Sequence, residues 1–135
     1  MDEAFLRDLF RSVPDVSIRR LFGGQGIYSC GHILALVIRG SLHLKGDAVS
    51  EALYVDAGLE RWSYQRAGKA PVNMPYWRFP EDAFDDPDEA ERWIAVADAA
   101  ARRSARSEDK GGRSASGRKA SGRPAGKARR RASSQ

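Results

Sequence analysis

The 135-residue chain has one cysteine, two histidines and two methionines. A single cysteine excludes an intrachain disulfide and fits a reducing compartment. Long hydrophobic runs are missing as well. The longest aliphatic stretch is Ile33-Leu34-Ala35-Leu36-Val37-Ile38, far short of the roughly 18 apolar residues of a membrane-spanning helix. The opening Met1-Asp2-Glu3 has no basic segment of the kind that begins a secretory signal. The expected location is therefore the cytoplasm, with no membrane partner. The length leaves room for one ordinary domain and excludes a two-domain enzyme with separate cofactor and substrate lobes.

Charge divides the chain in two. Residues 1–103 hold 13 Lys/Arg against 16 Asp/Glu, a net of −3, while residues 104–135 hold 10 against 2, a net of +8. The second segment contains no Val, Ile, Leu, Met, Phe, Trp, Tyr or Cys. It cannot bury enough surface to offset the roughly 1–2 kcal/mol per residue that fixing a backbone costs. The expectation is a mildly acidic domain, 1–103, carrying a disordered basic tail, 104–135.

Within the domain, Phe5, Leu6, Leu9, Phe10 and Val13 repeat at helical spacing and Pro14 stops them. Val16–Phe22 alternates as a strand and runs into Gly23-Gly24. Cys30-Gly31 then separates Gln25–Ser29 from His32–Ile38, and Arg39-Gly40 separates the latter from Ser41–Lys45. Glycine second in a two-residue loop suits the positive φ of a type I′ hairpin turn. This predicts Ser29 opposite His32 and Ile38 opposite Ser41. Unbroken alternation then puts Tyr28, Ile33, Ala35, Val37, Leu42 and Leu44 on a core face. The other face carries Ile27, His32, Leu34, Leu36, Ile38 and His43, mixed enough to imply cover by another element or a subunit.

Asp47 is positioned to cap a helix through Ala57, with Gly58 as its stop. Trp62–Arg66 and Val72–Phe79 read as strands, Pro75 marking the second as an edge or bulged strand. Asp86-Pro87-Asp88-Glu89 places a cap, a first-turn proline and an acid three residues after the cap ahead of Ala90, Trp93, Ile94, Ala97 and Ala101. The predicted fold class is α+β, a two-layer sandwich of an antiparallel sheet with helices in α-β(3–4)-α-β(2)-α order. Its expected core anchors are Phe5, Phe10, Leu36, Trp62, Trp77 and Trp93.

Leu21-Phe22-Gly23-Gly24-Gln25-Gly26-Ile27-Tyr28 resembles the opening of the TfoX/Sxy N-terminal domain family. The resemblance continues through Ile33–Val37, Leu42-His43-Leu44-Lys45, Met74-Pro75-Tyr76-Trp77 and Pro80 with Asp85-Asp86-Pro87, spanning residues 5–103. It implies an α-β(3)-α-β(2)-α fold. Founding members are regulators of bacterial competence that act with the cyclic-AMP receptor protein and carry a second, helical domain. Here the basic tail follows Arg103. The resemblance supplies no catalytic residues, and none is assigned; nor is any cofactor.

Candidate sites each have a plainer alternative. Gly23-Gly24-Gln25-Gly26 lacks the helix N-terminus and Gly-Lys-Ser/Thr of a phosphate loop, and reads as a hairpin turn or bulge. Cys30, His32 and His43 are the only soft metal ligands, too few and wrongly spaced for zinc, and Cys30 beside His32 lacks an orienting third group for nucleophilic chemistry. The carboxylates between Glu81 and Glu91 read as a solvated, helix-capping face. Trp62, Tyr64, Tyr76 and Trp77 could form a base-stacking platform, but the net negative domain favours packing. The tail points outward: Arg113, Arg118, Lys119, Arg123, Lys127, Arg129, Arg130 and Arg131 are suited to non-specific nucleic-acid binding.

The function read from these features is a non-enzymatic TfoX-like regulatory domain with a protein partner, such as a transcription regulator, and a nucleic-acid tether. A homodimer is a further expectation. The alternatives are a small ligand- or metal-binding domain or enzyme working around His32 and His43, and a dimeric adaptor or chaperone-like scaffold.

Overall fold

The computed structural model describes residues 1–21, 23–65 and 67–111, with side chains to residue 107. The order is α1 (Glu3–Leu9), β1 (Val16–Leu21), β2 (Gly24–Ser29), β3 (His32–Ile38), β4 (Ser41–Lys45), α2 (Glu51–Asp56), β5 (Arg61–Tyr64), β6 (Val72–Arg78), a short 3-10 turn at Glu81–Asp85, and α3 (Pro87–Gly111). The strands form one open antiparallel sheet in the order β1-β2-β3-β4-β6-β5. This is the α+β arrangement expected. No helix among the described residues is long and apolar enough to cross a membrane.

Local chemistry sets the element ends. Asp2 accepts the Phe5 amide at 2.9 Å and starts α1. Asp47 and Ser50 cap α2 reciprocally: the Ser50 amide donates to Asp47 Oδ1 at 3.0 Å, and the Asp47 amide to Ser50 Oγ at 2.8 Å. Asp86 Oδ1 accepts the Glu89 amide at the start of α3. Glu89 does not reach back to complete that box; it pairs with Arg92 at 2.6 Å, and the Asp86 amide donates to the Ala83 carbonyl. The sequence boundary at Arg103 is not a helix end, because α3 continues to Gly111 through Ala, Arg and Ser without an interior Gly or Pro.

Both predicted hairpin turns form. Cys30 and Gly31 have φ of 52° and 81°, Arg39 and Gly40 of 52° and 78°, the pair of positive values a type I′ turn requires. Ser29 faces His32 and Ile38 faces Ser41. A bulge the alternation does not reveal follows at once. Tyr28 pairs with Ile33 but Ile27 pairs with Ala35, so Leu34 is an extra residue on β3.

That one residue reassigns the faces. Ile27 and Leu34 join Ala35, Val37, Leu42 and Leu44 in the core, beneath Leu6, Phe10, Tyr54, Ile94, Ala97 and Ala101 of the helical layer. Tyr28 and Ile33, expected in the core, move to the opposite face, where their side chains flank Gly26. Among the expected anchors, Phe10 and Trp77 are in the core, but Phe5 is 40% exposed, and Leu36 is buried outside the core cluster. Pro75 does not make β6 an edge. The strand lies between β4 and β5, and Met74-Pro75-Tyr76 forms a bulge where the β5 register skips from Arg61 to Ser63. A residue with no N–H is tolerated at such a break.

The two layers are tied by an aromatic stack. Tyr54 of α2 lies between Trp77 of β6 and Trp93 of α3, with ring centroids at 5.2 and 5.8 Å. Its hydroxyl donates to the Lys45 carbonyl at 2.7 Å. Gly46 permits the stack: a Cβ there would overlap Trp77 and come within 2.9 Å of Tyr54.

Candidate functional site

The sheet face away from the helices gathers chemistry-bearing residues from several strands. The ladder places Gly26 opposite Leu36, Leu36 opposite His43, His43 opposite Arg78, and Lys45 opposite Tyr76. Side chains across one such row share a face. Arg19 of β1 lies 4.8 Å over the Tyr28 ring and Lys45 lies 5.3 Å over Tyr76. Trp62 meets Tyr76 edge-on at 6.4 Å and His43 at 6.3 Å. Leu36, His43 and Tyr76 are buried beneath these neighbours, while Tyr28, Ile33 and Trp62 are half-buried. The face is thus an aromatic and aliphatic floor crossed by long cationic side chains.

Burial and charge set the protonation states. Burial lowers the His43 pKa below its usual 6.5, Arg78 lowers it further, and the Ser41 carbonyl contact and Glu60 pull the other way. His43 Nδ1 lies 3.0 Å from the Ser41 carbonyl, which requires the proton on Nδ1 and leaves Nε2 as the lone-pair nitrogen. Tyr76 is pushed up to about 12 by burial and by Tyr28. Both groups are neutral at physiological pH, so Arg19, Lys45 and Arg78 supply the charge of this face.

A depressed histidine pKa means the unfolded chain takes up the proton first as pH falls. Stability attributable to His43 is therefore intact above its unfolded pKa and is lost below it, levelling once the folded form also protonates. Denaturation between about pH 8 and about pH 5 should show a steeper loss for the native chain than for His43→Asn, the gap opening below about pH 6.5. Parallel curves would show that His43 does not titrate differently on folding.

The other sequence candidates fall elsewhere. The bulge at Leu34 breaks the parity that placed both histidines on one face. Ile33 shares the open face with Tyr28, so His32, one residue earlier and opposite Ser29, projects to the other side from His43. The structure therefore does not bring His32 and His43 together. Among the described residues no group of three or more His, Cys, Asp or Glu side chains converges as a metal site would. Cys30 is exposed in its turn, and its sulfur faces Asp15 Oδ2 at 3.9 Å.

The glycine motif is structural. A Cβ on Gly24 would collide with the Val37 carbonyl, and one on Gly26 would crowd Tyr28, Leu21 and Ile33 at 3.0–3.3 Å. Gly23 and Gly24 also border an open cleft of about 700 Å³ whose lining includes Arg19, Arg20 and Arg39. Of the four aromatics weighed as a platform, Trp62 and Tyr76 do share the open face, Trp77 is in the core, and Tyr64 is 48% exposed. The tail cations Arg113, Arg118, Lys119, Arg123, Lys127, Arg129, Arg130 and Arg131 lie outside the described residues.

Sequence reading passed over Arg19, Lys45 and Arg78. The signal was present: the six strands carry five cations (Arg19, Arg20, Lys45, Arg61, Arg78) and no carboxylate, whereas all 16 acids of residues 1–103 lie in helices, turns and loops. A net charge of −3 averages a cationic sheet against an acidic remainder.

Fold and surface together define a two-layer α+β domain with the described helices on one side of the sheet and a cationic second side. Residues 8–101 match the TfoX N-terminal domain. The chain belongs to the TfoX N-terminal domain family. No curated protein matches it.

Proposed function

We propose that the chain is a non-enzymatic, cytoplasmic TfoX-like binding protein linked to transcription or competence regulation, whose basic C-terminal segment holds it non-specifically on nucleic acid. The carrying observation is the net +8 of residues 104–135 in a segment with no apolar side chain larger than proline. Lys and Arg on such a segment release counterions from a polyanion, giving affinity with little sequence preference. Family membership supports the regulatory role and a transcription regulator as the protein partner of the folded body.

Duplex DNA binding by the intact chain should fall steeply with salt. In a variant with Arg113, Arg118, Lys119, Arg123, Lys127, Arg129, Arg130 and Arg131 all changed to Gln, the log–log salt slope should flatten by roughly 0.9 for each phosphate no longer neutralised. Identical salt dependence in gel shifts of the two proteins would reject the tether.

A further inference from the structure

We propose that the open sheet face binds single-stranded nucleic acid, with Trp62 and the Arg19–Tyr28 pair as stacking surfaces and Lys45 and Arg78 as phosphate contacts. The inference does not rest on the tail; it concerns the folded body alone.

Four observations carry it. The face is uncovered by the helices, whose buried side chains Leu6, Tyr54, Ile94 and Ala97 belong to the core on the other side. It presents rings at its surface: Trp62 and Tyr28 are half-buried, Trp62 packed against Tyr76 and His43 and Tyr28 lying under Arg19. Its ionised side chains on the strands are all positive, with Glu60, just ahead of β5, the one carboxylate acting on His43. Arg19, Lys45 and Arg78 form none of the ion pairs found among the described residues, which join Arg11, Arg92 and Arg102 to acids three or four residues earlier in the chain. Their charge is available to an external anion.

The chemistry selects the occupant. Rings on a flat surface gain nothing from a duplex, whose bases are already stacked inside, but unpaired bases stack on Trp, Tyr and Arg planes with little regard to sequence. Arg19, 4.8 Å over the Tyr28 ring and exposed, is the guanidinium available for such stacking. Six strands at about 4.8 Å spacing give a track about 24 Å wide, room for several nucleotides. A second copy of the chain fits poorly, because a two-fold contact through this face would bring two sets of like charges, each of Arg19, Lys45 and Arg78, into one interface.

The test uses the full chain and fluorescein-labelled oligo-dT of about 12 nucleotides beside a duplex of equal length, read by anisotropy. Trp62→Ala should weaken oligo-dT binding about tenfold and leave duplex binding essentially unchanged, while Trp62→Phe, which keeps a ring, retains most of the affinity. Lys45→Gln and Arg78→Gln should each flatten the single-strand salt slope by about 0.7. The proposal is overturned if Trp62→Ala binds oligo-dT like the native chain, if it loses single strand and duplex equally, or if Trp62 supports a dimer by sedimentation that the oligonucleotide does not displace. Should Trp62→Ala not fold, a salt slope unaltered by Lys45→Gln and Arg78→Gln also overturns it. Repeating the titrations with the eight tail cations changed to Gln separates the two readings. Loss of duplex binding there reports the tail, and persistence of the Trp62-dependent single-strand preference reports the face.

Discussion

Gly24→Ala should cost about 3 kcal/mol or more of folding stability, the largest effect of any single added methyl in the sheet. The new Cβ would overlap the backbone carbonyl of Val37, and no side-chain rotation can relieve a clash with backbone. β2 would have to move away from β3, loosening a ladder that runs from Gln25↔Val37 to Ser29↔His32. Ordinary overpacking costs about 1–3 kcal/mol, and the larger values belong to sites that cannot yield. Gly40→Ala is the control: nothing lies within 4 Å of its Cβ position, so only the left-handed backbone penalty of about 1 kcal/mol applies. Denaturant midpoints at constant m-value would rank the two. A Gly24→Ala loss no greater than that of Gly40→Ala would mean that the sheet accommodates the methyl.

Tyr54→Ala should be comparably severe, at about 3–5 kcal/mol. Tyr54 is fully buried, and its ring is sandwiched by Trp77 and Trp93. Truncation removes the filling between sheet, α2 and α3 at once. Tyr54→Phe keeps the stack and removes only the hydroxyl that donates to the Lys45 carbonyl, leaving a buried acceptor short of a partner for about 1 kcal/mol. The pair of variants therefore separates ring packing from the hydrogen bond. Equal losses in thermal or denaturant unfolding would place the whole contribution in the hydroxyl.

Most of the fold could be read from residues whose effects are local. Cys30-Gly31 and Arg39-Gly40 set two hairpin turns and the strand pairs next to them, because φ above zero is a property of the turn itself. Asp47 and Asp86 mark helix starts because a carboxylate caps the backbone a few residues on. The bulge was not legible. An apolar run from Ile33 to Ile38 looks the same with or without an extra residue, since every position in it is hydrophobic. Ile27, Tyr28, Ile33 and His32 were therefore placed on the wrong sides, and with them the supposed histidine pair. Pro75 left an edge or a bulge open, and the bulge is what forms: its missing N–H reports a break in one ladder, and the sequence does not say whether water or another strand lies beyond.

The open face was half legible. Its aromatics stand out in the sequence, but the total charge of the domain counts against them. Total charge says nothing about where charges sit. Position depends on which segments are strands, and only that assignment reveals that carboxylates avoid all six of them.

The aromatic stack gives the protein an unequal set of chromophores. Trp77 and Trp93 flank the same tyrosine inside the molecule, whereas Trp62 stands apart on the far side of the sheet. Emission and near-ultraviolet dichroism from the first two follow the docking of helices on sheet. Quenching of the third by solutes reports what touches the outer surface, so one unlabelled sample can show each event separately.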